Sequence, residues 1–120
     1  MAKDLSISYL LDFYGQMLTD KQREVTEFYY NDDLSLAEIA DHCHITRQGV
    51  RDSIKRAEAQ LREYEEKLGL ATRFVEIQAG LDEIIRNAQE ISILNDRFSG
   101  SSEVEKRVGA IIDLASRLND

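Results

Sequence analysis

Residues 34–56 read LSLAEIADHCHITRQGVRDSIKR, and the punctuation of this stretch decides the fold. Ser35-Leu-Ala-Glu38 is a capping box: the serine hydroxyl accepts a backbone amide three residues on, and the glutamate reaches back. It starts a short helix that ends near Cys43. Thr46 has the residue type of a second cap, and the helix it opens runs to about Leu68, where Gly69 offers a left-handed exit. Ile39, Ile45, Val50 and Ile54 are spaced to hold the two helices together at a steep angle, with Ala40 small at the close approach. A short helix, a connection of about three residues and a longer helix form a helix-turn-helix, whose second helix enters the major groove by its N-terminal turns. The turn favours a residue of positive φ, most often glycine. Here the place falls to His44 or its neighbour, and histidine tolerates that region better than most residues.

The polar positions suit nucleic acid. On a helix capped by Thr46, the side chains of Arg47, Gln48, Arg51 and Asp52 lie on the exposed first two turns, opposite Val50 and Ile54. Arginine pairs bidentately with guanine edges and glutamine with adenine, while Lys55 and Arg56 are placed for phosphates. The expected binding set is therefore Thr46, Arg47, Gln48, Arg51, Asp52, Lys55 and Arg56, on DNA in preference to RNA. The net charge of −8 is not that of a generic nucleic-acid binder, so its distribution matters. Residues 46–62 carry five basic and two acidic side chains, residues 1–45 three and nine, and residues 63–120 seven and twelve. One basic island lies between acidic flanks.

Outward from the motif, the chain reads as helices throughout. Zero prolines and six glycines leave few turn-makers, which favours long helices over short strands. A first helix is predicted over Ser6–Leu18, with Tyr9, Leu10, Phe13, Tyr14 and Met17 at helical spacing. A capping box, Thr19-Asp-Lys-Gln22, opens a second helix that Asn31-Asp32-Asp33 breaks. Tyr9, Phe13, Tyr14, Phe28, Tyr29 and Tyr30 are expected as core between these two helices. Beyond the motif, Ile54, Leu61 and Leu68 recur every seven residues, as do Phe74, Leu81 and Ala88 with Ile77, Ile84 and Ile91 between them. A last helix, capped by Ser101 or Ser102, offers Val104, Val108, Ile111, Ala115 and Leu118, and Asn95–Ser102 reads as a polar loop. Such seams pack helices at small angles. The fold class is thus all-α: a helix-turn-helix domain over residues 1–70 and a helical extension over 71–120. The extension is expected to form a bundle or homodimer through the seams on 54–68, 74–91 and 104–118.

Several chemistries are excluded. His42-Cys43-His44 are adjacent, so their side chains diverge by about 100° and cannot share one ion, and the chain has no other His or Cys. Cys43 is expected as a small packing residue. Asp32-Asp33 and Glu65-Glu66 read as a turn and a solvated face. Phosphate-cradling glycine loops, nucleophile triads and dinucleotide fingerprints are all missing from the sequence, so neither an enzyme nor a cofactor is expected. One cysteine gives no disulfide framework, and no apolar run approaches the roughly 18 residues of a membrane span. Met1–Leu11 carries acids and serines where a secretion signal would be basic and then apolar, so a cytoplasmic protein is expected.

LTDKQREVTEFYY followed by LSLAEIADHCHITRQGVRDSIKRAEAQLR resembles region 4 of bacterial sigma factors, which reads the promoter −35 element. The chain resembles the YlxM family of helix-turn-helix proteins of Gram-positive bacteria still more closely. YLLDFYGQMLT, Tyr29-Tyr30, Asp32-Asp33, SLAEIAD, TRQGVRDSIKR and YEEKL all stand as in that family, over residues 9–68. The resemblance implies a sigma-like fold, recognition-helix roles for Thr46, Arg47, Gln48, Arg51 and Lys55, and an accessory or regulatory part in the signal recognition particle pathway, whose components become candidate partners. It implies nothing for the tail from Phe74 onward in sigma terms. Two other readings remain: an adaptor that uses its acidic faces and heptad tail on a basic protein without touching nucleic acid, and a sigma-like subunit active only on RNA polymerase.

Overall fold

The computed structural model describes residues 2–119; Met1 and Asp120 lie outside the described residues, as does the side chain of Ser99. Among the described residues there are six α-helices and no strand. They are α1 (Leu5–Tyr14), α2 (Asp20–Tyr30), α3 (Leu36–Cys43), α4 (Arg47–Leu68), α5 (Leu70–Leu94) and α6 (Ser102–Asn119). The chain divides into two compact units, Met1–Thr72 and Arg73–Asp120.

In the first unit α4 is the central post. Its buried stripe of Val50, Ile54, Ala57 and Leu61 follows the helical period and serves two clusters. The N-terminal half of the stripe meets Val25 and Tyr29 of α2 and Ile39 and Ala40 of α3, with Phe28, Leu34, Leu36, Cys43 and Ile45 at the edge. The C-terminal half meets Ile7, Leu10, Leu11 and Tyr14 of α1, with Leu18 and Ala71. Tyr30 borders both.

This arrangement corrects three expectations. The six aromatic residues do not form one core between α1 and α2; Phe13 and Tyr14 join the α1 cluster, Phe28 and Tyr29 the α2–α3 cluster, and Tyr9 is 38% exposed. The reason is that α4 offers each helix its own half of an apolar stripe. For the same reason the seven-residue seam on α4 is covered within the unit over Ile54 and Leu61, leaving only Leu68 exposed. The first helix ends at Tyr14, not Leu18, because Gly15–Met17 tightens into a 3-10 turn closed by the Leu18 N–H on the Gly15 carbonyl (3.1 Å). That turn swings Leu18 into the core at 6% exposure.

Capping chemistry sets the other boundaries. Both predicted capping boxes are present, Thr19 with Gln22 and Ser35 with Glu38. At Gly69 (φ +63°) the chain exits α4 in the left-handed region. The first amides of α5 are then satisfied from outside that helix. Glu65 accepts from the Ala71 and Thr72 N–H groups (3.1 and 2.9 Å) and from the Tyr14 hydroxyl (2.6 Å), which itself accepts from the Leu70 N–H (3.0 Å).

The second unit is a helical hairpin. The Ser92 hydroxyl donates to the Glu105 carboxylate (2.9 Å) and the Asn119 amide to Asp82 (2.7 Å), tying its two helices together at separate levels. The polar loop expected over Asn95–Ser102 is instead a π-helical turn over Asn95–Ser99. Asn95 causes it: the buried side chain donates to the Ser101 carbonyl (2.9 Å) and accepts the Ser101 N–H (3.0 Å), while Gly100 (φ +60°) reverses the chain. Ser101 then caps α6, accepting the Val104 N–H.

Candidate nucleic-acid interface

The turn between α3 and α4 holds the site. His44 lies at φ 57°, ψ 42°, in the left-handed region, and its N–H bonds the Ala40 carbonyl. The Ile45 N–H returns to the same carbonyl (3.1 Å), a Schellman closure that reverses the chain within three residues. Thr46 then caps α4, its Oγ1 accepting the Gly49 N–H at 2.9 Å. A Cβ at residue 49 would lie 3.2 Å from that oxygen, so glycine is what lets the cap close without crowding. Ile39, Val50 and Ile54 are fully buried; Ile45, expected buried, is only half-buried because it sits at the rim of its cluster. The geometry forces the opposite face outward, and Arg47, Gln48, Arg51, Asp52, Lys55 and Arg56 are all exposed.

Two clefts flank the first turns of α4. One, about 420 Å³, is lined by Ser35, Leu36 and Ala37 at the start of α3 and by Arg47, Gln48 and Arg51. The other, about 400 Å³, is lined by Thr19, Lys21 and Gln22 at the start of α2 and by Gly49, Asp52, Ser53 and Arg56. The seven expected residues thus part into Arg47, Gln48 and Arg51 on one flank and Asp52 and Arg56 on the other, with Thr46 and Lys55 lining neither cleft. Lys21, Ser35 and Ser53 line these clefts too and escaped the sequence reading. Lys21 sits 35 residues before Arg56, and only the folded path of α2 across α4 brings them together.

The hydrogen bonds refine the roles. Thr46 uses one lone pair of its oxygen in the cap, which fixes the side chain and leaves the O–H and one lone pair for an outward partner. The Gln48 side-chain amide donates to Asp52 (2.9 Å). An amide has two N–H donors and a carbonyl, so this bond leaves one donor and one acceptor, the pair an adenine edge requires, and it steadies the side chain. Of the five basic residues in the island, Arg62 is engaged by Asp4 (3.2 Å) and Glu58 (3.5 Å) and is removed from the interface. Among the described residues, Arg47, Arg51, Lys55 and Arg56 make no salt bridge. Cys43 packs at the edge of the α2–α3 cluster, where burial pushes its thiol pKa up, and the exposed His42 meets the Phe28 ring edge-on at 4.8 Å. No group of three or more His, Cys, Asp and Glu side chains with metal-binding geometry occurs among the described residues, and no helix among them is long and apolar enough to cross a membrane.

Fold and site together define a helix-turn-helix protein. The chain belongs to the family described as "Putative helix-turn-helix protein, YlxM / p13 like", which matches residues 1–98. It is 41% identical over 116 residues to a UPF0122 protein of Acetivibrio thermocellus, covering 94% of this chain and 99% of the relative. It is 49% identical over 116 residues to a UPF0122 protein of Desulforamulus reducens, covering 95% and 94%. A UPF0122 protein of a Thermoanaerobacter species is 50% identical over 93 residues, covering 78% and 77%. The match extends past the sigma-like part and takes in α5.

Proposed function

We propose that the first unit reads duplex DNA with the N-terminal turns of α4, as a non-enzymatic accessory or regulatory protein. The observation that supports this most is the left-handed His44 turn, which presents Arg47, Gln48 and Arg51 outward while Val50 and Ile54 anchor the same helix. Arg47 and Arg51 are base readers and Gln48 an adenine reader set by Asp52. Lys55 and Arg56, joined by Lys21, hold phosphates. Kinship with the YlxM family extends the reading to the signal recognition particle pathway as the setting in which this binding operates.

A salt series on random and selected duplex DNA, with structured RNA beside it, tests the proposal. Expected is salt-sensitive binding to duplex DNA, with selected sequence clearly preferred over random. Arg47→Ala or Arg51→Ala should cost about 1–3 kcal/mol and relax sequence preference. Lys55→Ala or Arg56→Ala should weaken all sequences evenly and lower the salt slope by about one for each phosphate no longer neutralised. Four substitutions that leave binding unchanged would overturn the reading and give the acidic faces the working role.

A further inference from the structure

The second unit has an apolar face that the hairpin itself does not cover. Along α5 and its π turn, Ile77, Ile84, Ile91 and Phe98 recur every seven residues and are 46, 48, 46 and 79% exposed. Along α6, Val104, Ile111 and Leu118 do the same, at 36, 43 and 62%. The alternate seam positions behave differently: Phe74 and Leu81 of α5 are half-buried, and Ala88 of α5, Asn95 of the π turn, and Val108 and Ala115 of α6 are buried. One half of each heptad closes the hairpin, and the other half faces away from it.

Both exposed rows lie on one side. Ile84 shares a groove of about 200 Å³ with Ile111 and Leu118, and Ile91 and Phe98 share another, about 300 Å³, with Val104. The rows and the leucines beside them, Leu94 and Leu114, expose an area on the order of the ~800 Å² that each partner gives to a standard interface. It exceeds the few-hundred-Å² apolar patch usual on a monomer.

We propose that a second copy of this chain covers this face, giving a four-helix bundle of two α5–α6 hairpins related by a two-fold axis. A 3.5-residue repeat on two antiparallel helices is the pattern of left-handed bundle packing. Because both helices carry the row in the same phase, the face complements itself, as an isologous interface requires. Charge agrees. Glu76, Glu83 and Glu90, again seven apart and exposed, border the α5 row, whereas the α6 row is bordered by Arg117 and by Arg107, the latter paired with Glu103 of its own helix at 3.0 Å. A two-fold axis parallel to the helices sets α5 beside α6 of the other copy, so the glutamate row meets the rim that carries Arg117 and Arg107 instead of itself. The interface is confined to α5 and α6; the seam on α4, which the sequence also offers, is occupied within its own unit.

Sedimentation equilibrium of the full chain across the micromolar range, with circular dichroism on the same samples, tests the assembly. The wild type should run at twice 13.8 kDa. Ile84→Glu or Ile111→Glu should weaken self-association about a thousandfold and leave a helical monomer, since symmetry places each substitution twice in one interface. Ile93→Glu, equally exposed at 48% but off the row, should remain dimeric. Glu83→Arg should weaken the dimer, and more so at low salt. A wild type that stays monomeric throughout overturns the proposal whatever the variants do, and so does an Ile84→Glu chain that stays dimeric. An Ile93→Glu chain that dissociates as readily as Ile84→Glu places the interface elsewhere and overturns it equally.

Discussion

At the scale of single residues, the site depends on one backbone conformation. His44 holds φ 57° where most helix-turn-helix proteins place glycine, a costly choice for a side chain with a Cβ. His44→Val should therefore destabilise the first unit by about 1–3 kcal/mol, because a β-branched residue is penalised further in the left-handed region. His44→Gly should melt at the same temperature or higher. Thermal melts in which valine is tolerated as well as glycine would show that the turn does not rely on this conformation. The position was legible in the sequence because a three-residue connection between two capped helices leaves few places for the reversal. Asp33, the other non-glycine residue at positive φ (53°), was legible only as part of a helix-breaking run. Two contacts accompany its conformation, one local and one distant: the Leu34 N–H bonds back to the Phe28 carbonyl, and Lys3 reaches the Asp33 carboxylate at 2.8 Å from thirty residues away.

At the scale of elements, the start of α5 is held by a side chain from α4. The hydrogen bond from Tyr14, supported by Thr72 and Ala71, holds the Glu65 carboxyl below the usual carboxylate range against the opposing effect of burial. Burial, and then the Glu65 carboxylate, push the Tyr14 hydroxyl up, so it stays a protonated donor at neutral pH. Tyr14→Phe should cost about 1–2 kcal/mol at neutral pH, since the ring stays buried while its two hydrogen bonds vanish. The pH dependence has a definite sign. A depressed carboxyl pKa gives stability that is present above the unfolded value, near 4.3, and is lost as pH falls through the lower folded value. Wild type and Tyr14→Phe should thus differ most at neutral pH and draw closer as pH falls through the lowered Glu65 value, the Leu70 bond to Tyr14 keeping a remainder of the difference. Equal separation of their melting temperatures from pH 7 to pH 3 would remove Glu65 from the account. Capping boxes could be read in advance because they span four residues. The Glu65 cap could not, since it depends on where α1 delivers Tyr14, 51 residues earlier in the chain. The π turn at Asn95 escaped because it is decided by a side chain that must reach Ser101, and the end of α1 because a backbone closure at Gly15 carries no capping signature.

At the scale of the whole molecule, the two units are built on different terms. The largest fully buried side chains, Tyr14, Ile7, Ile39, Ile54, Leu61, Val25 and Val50, all belong to the first unit. The second buries chiefly alanines, Val108 and Asn95, while its isoleucines and leucines stay half in water. A seven-residue repeat carries no mark of which chain will cover it. The sequence therefore showed equal seams on α4, α5 and α6, and the packing of α1, α2 and α3 on α4 separates the first from the other two. The contrast in burial leads to a prediction for the isolated parts. A fragment of residues 1–72 retains both clusters and the Glu65 cap on the first turn of α5. It should fold cooperatively at any concentration and keep the Arg47–Arg56 face intact. A fragment of residues 73–120 has too little buried apolar surface to offset its chain entropy as a lone hairpin. Its helicity should depend on concentration, rising at 222 nm as the sample goes from sub-micromolar to tens of micromolar and the fragment assembles. If that fragment is fully helical when dilute, the hairpin is stable without a covering partner, and its exposed rows are a surface feature with no energetic demand behind them. If instead residues 1–72 unfold, the first unit draws on α5 for more than one capped turn.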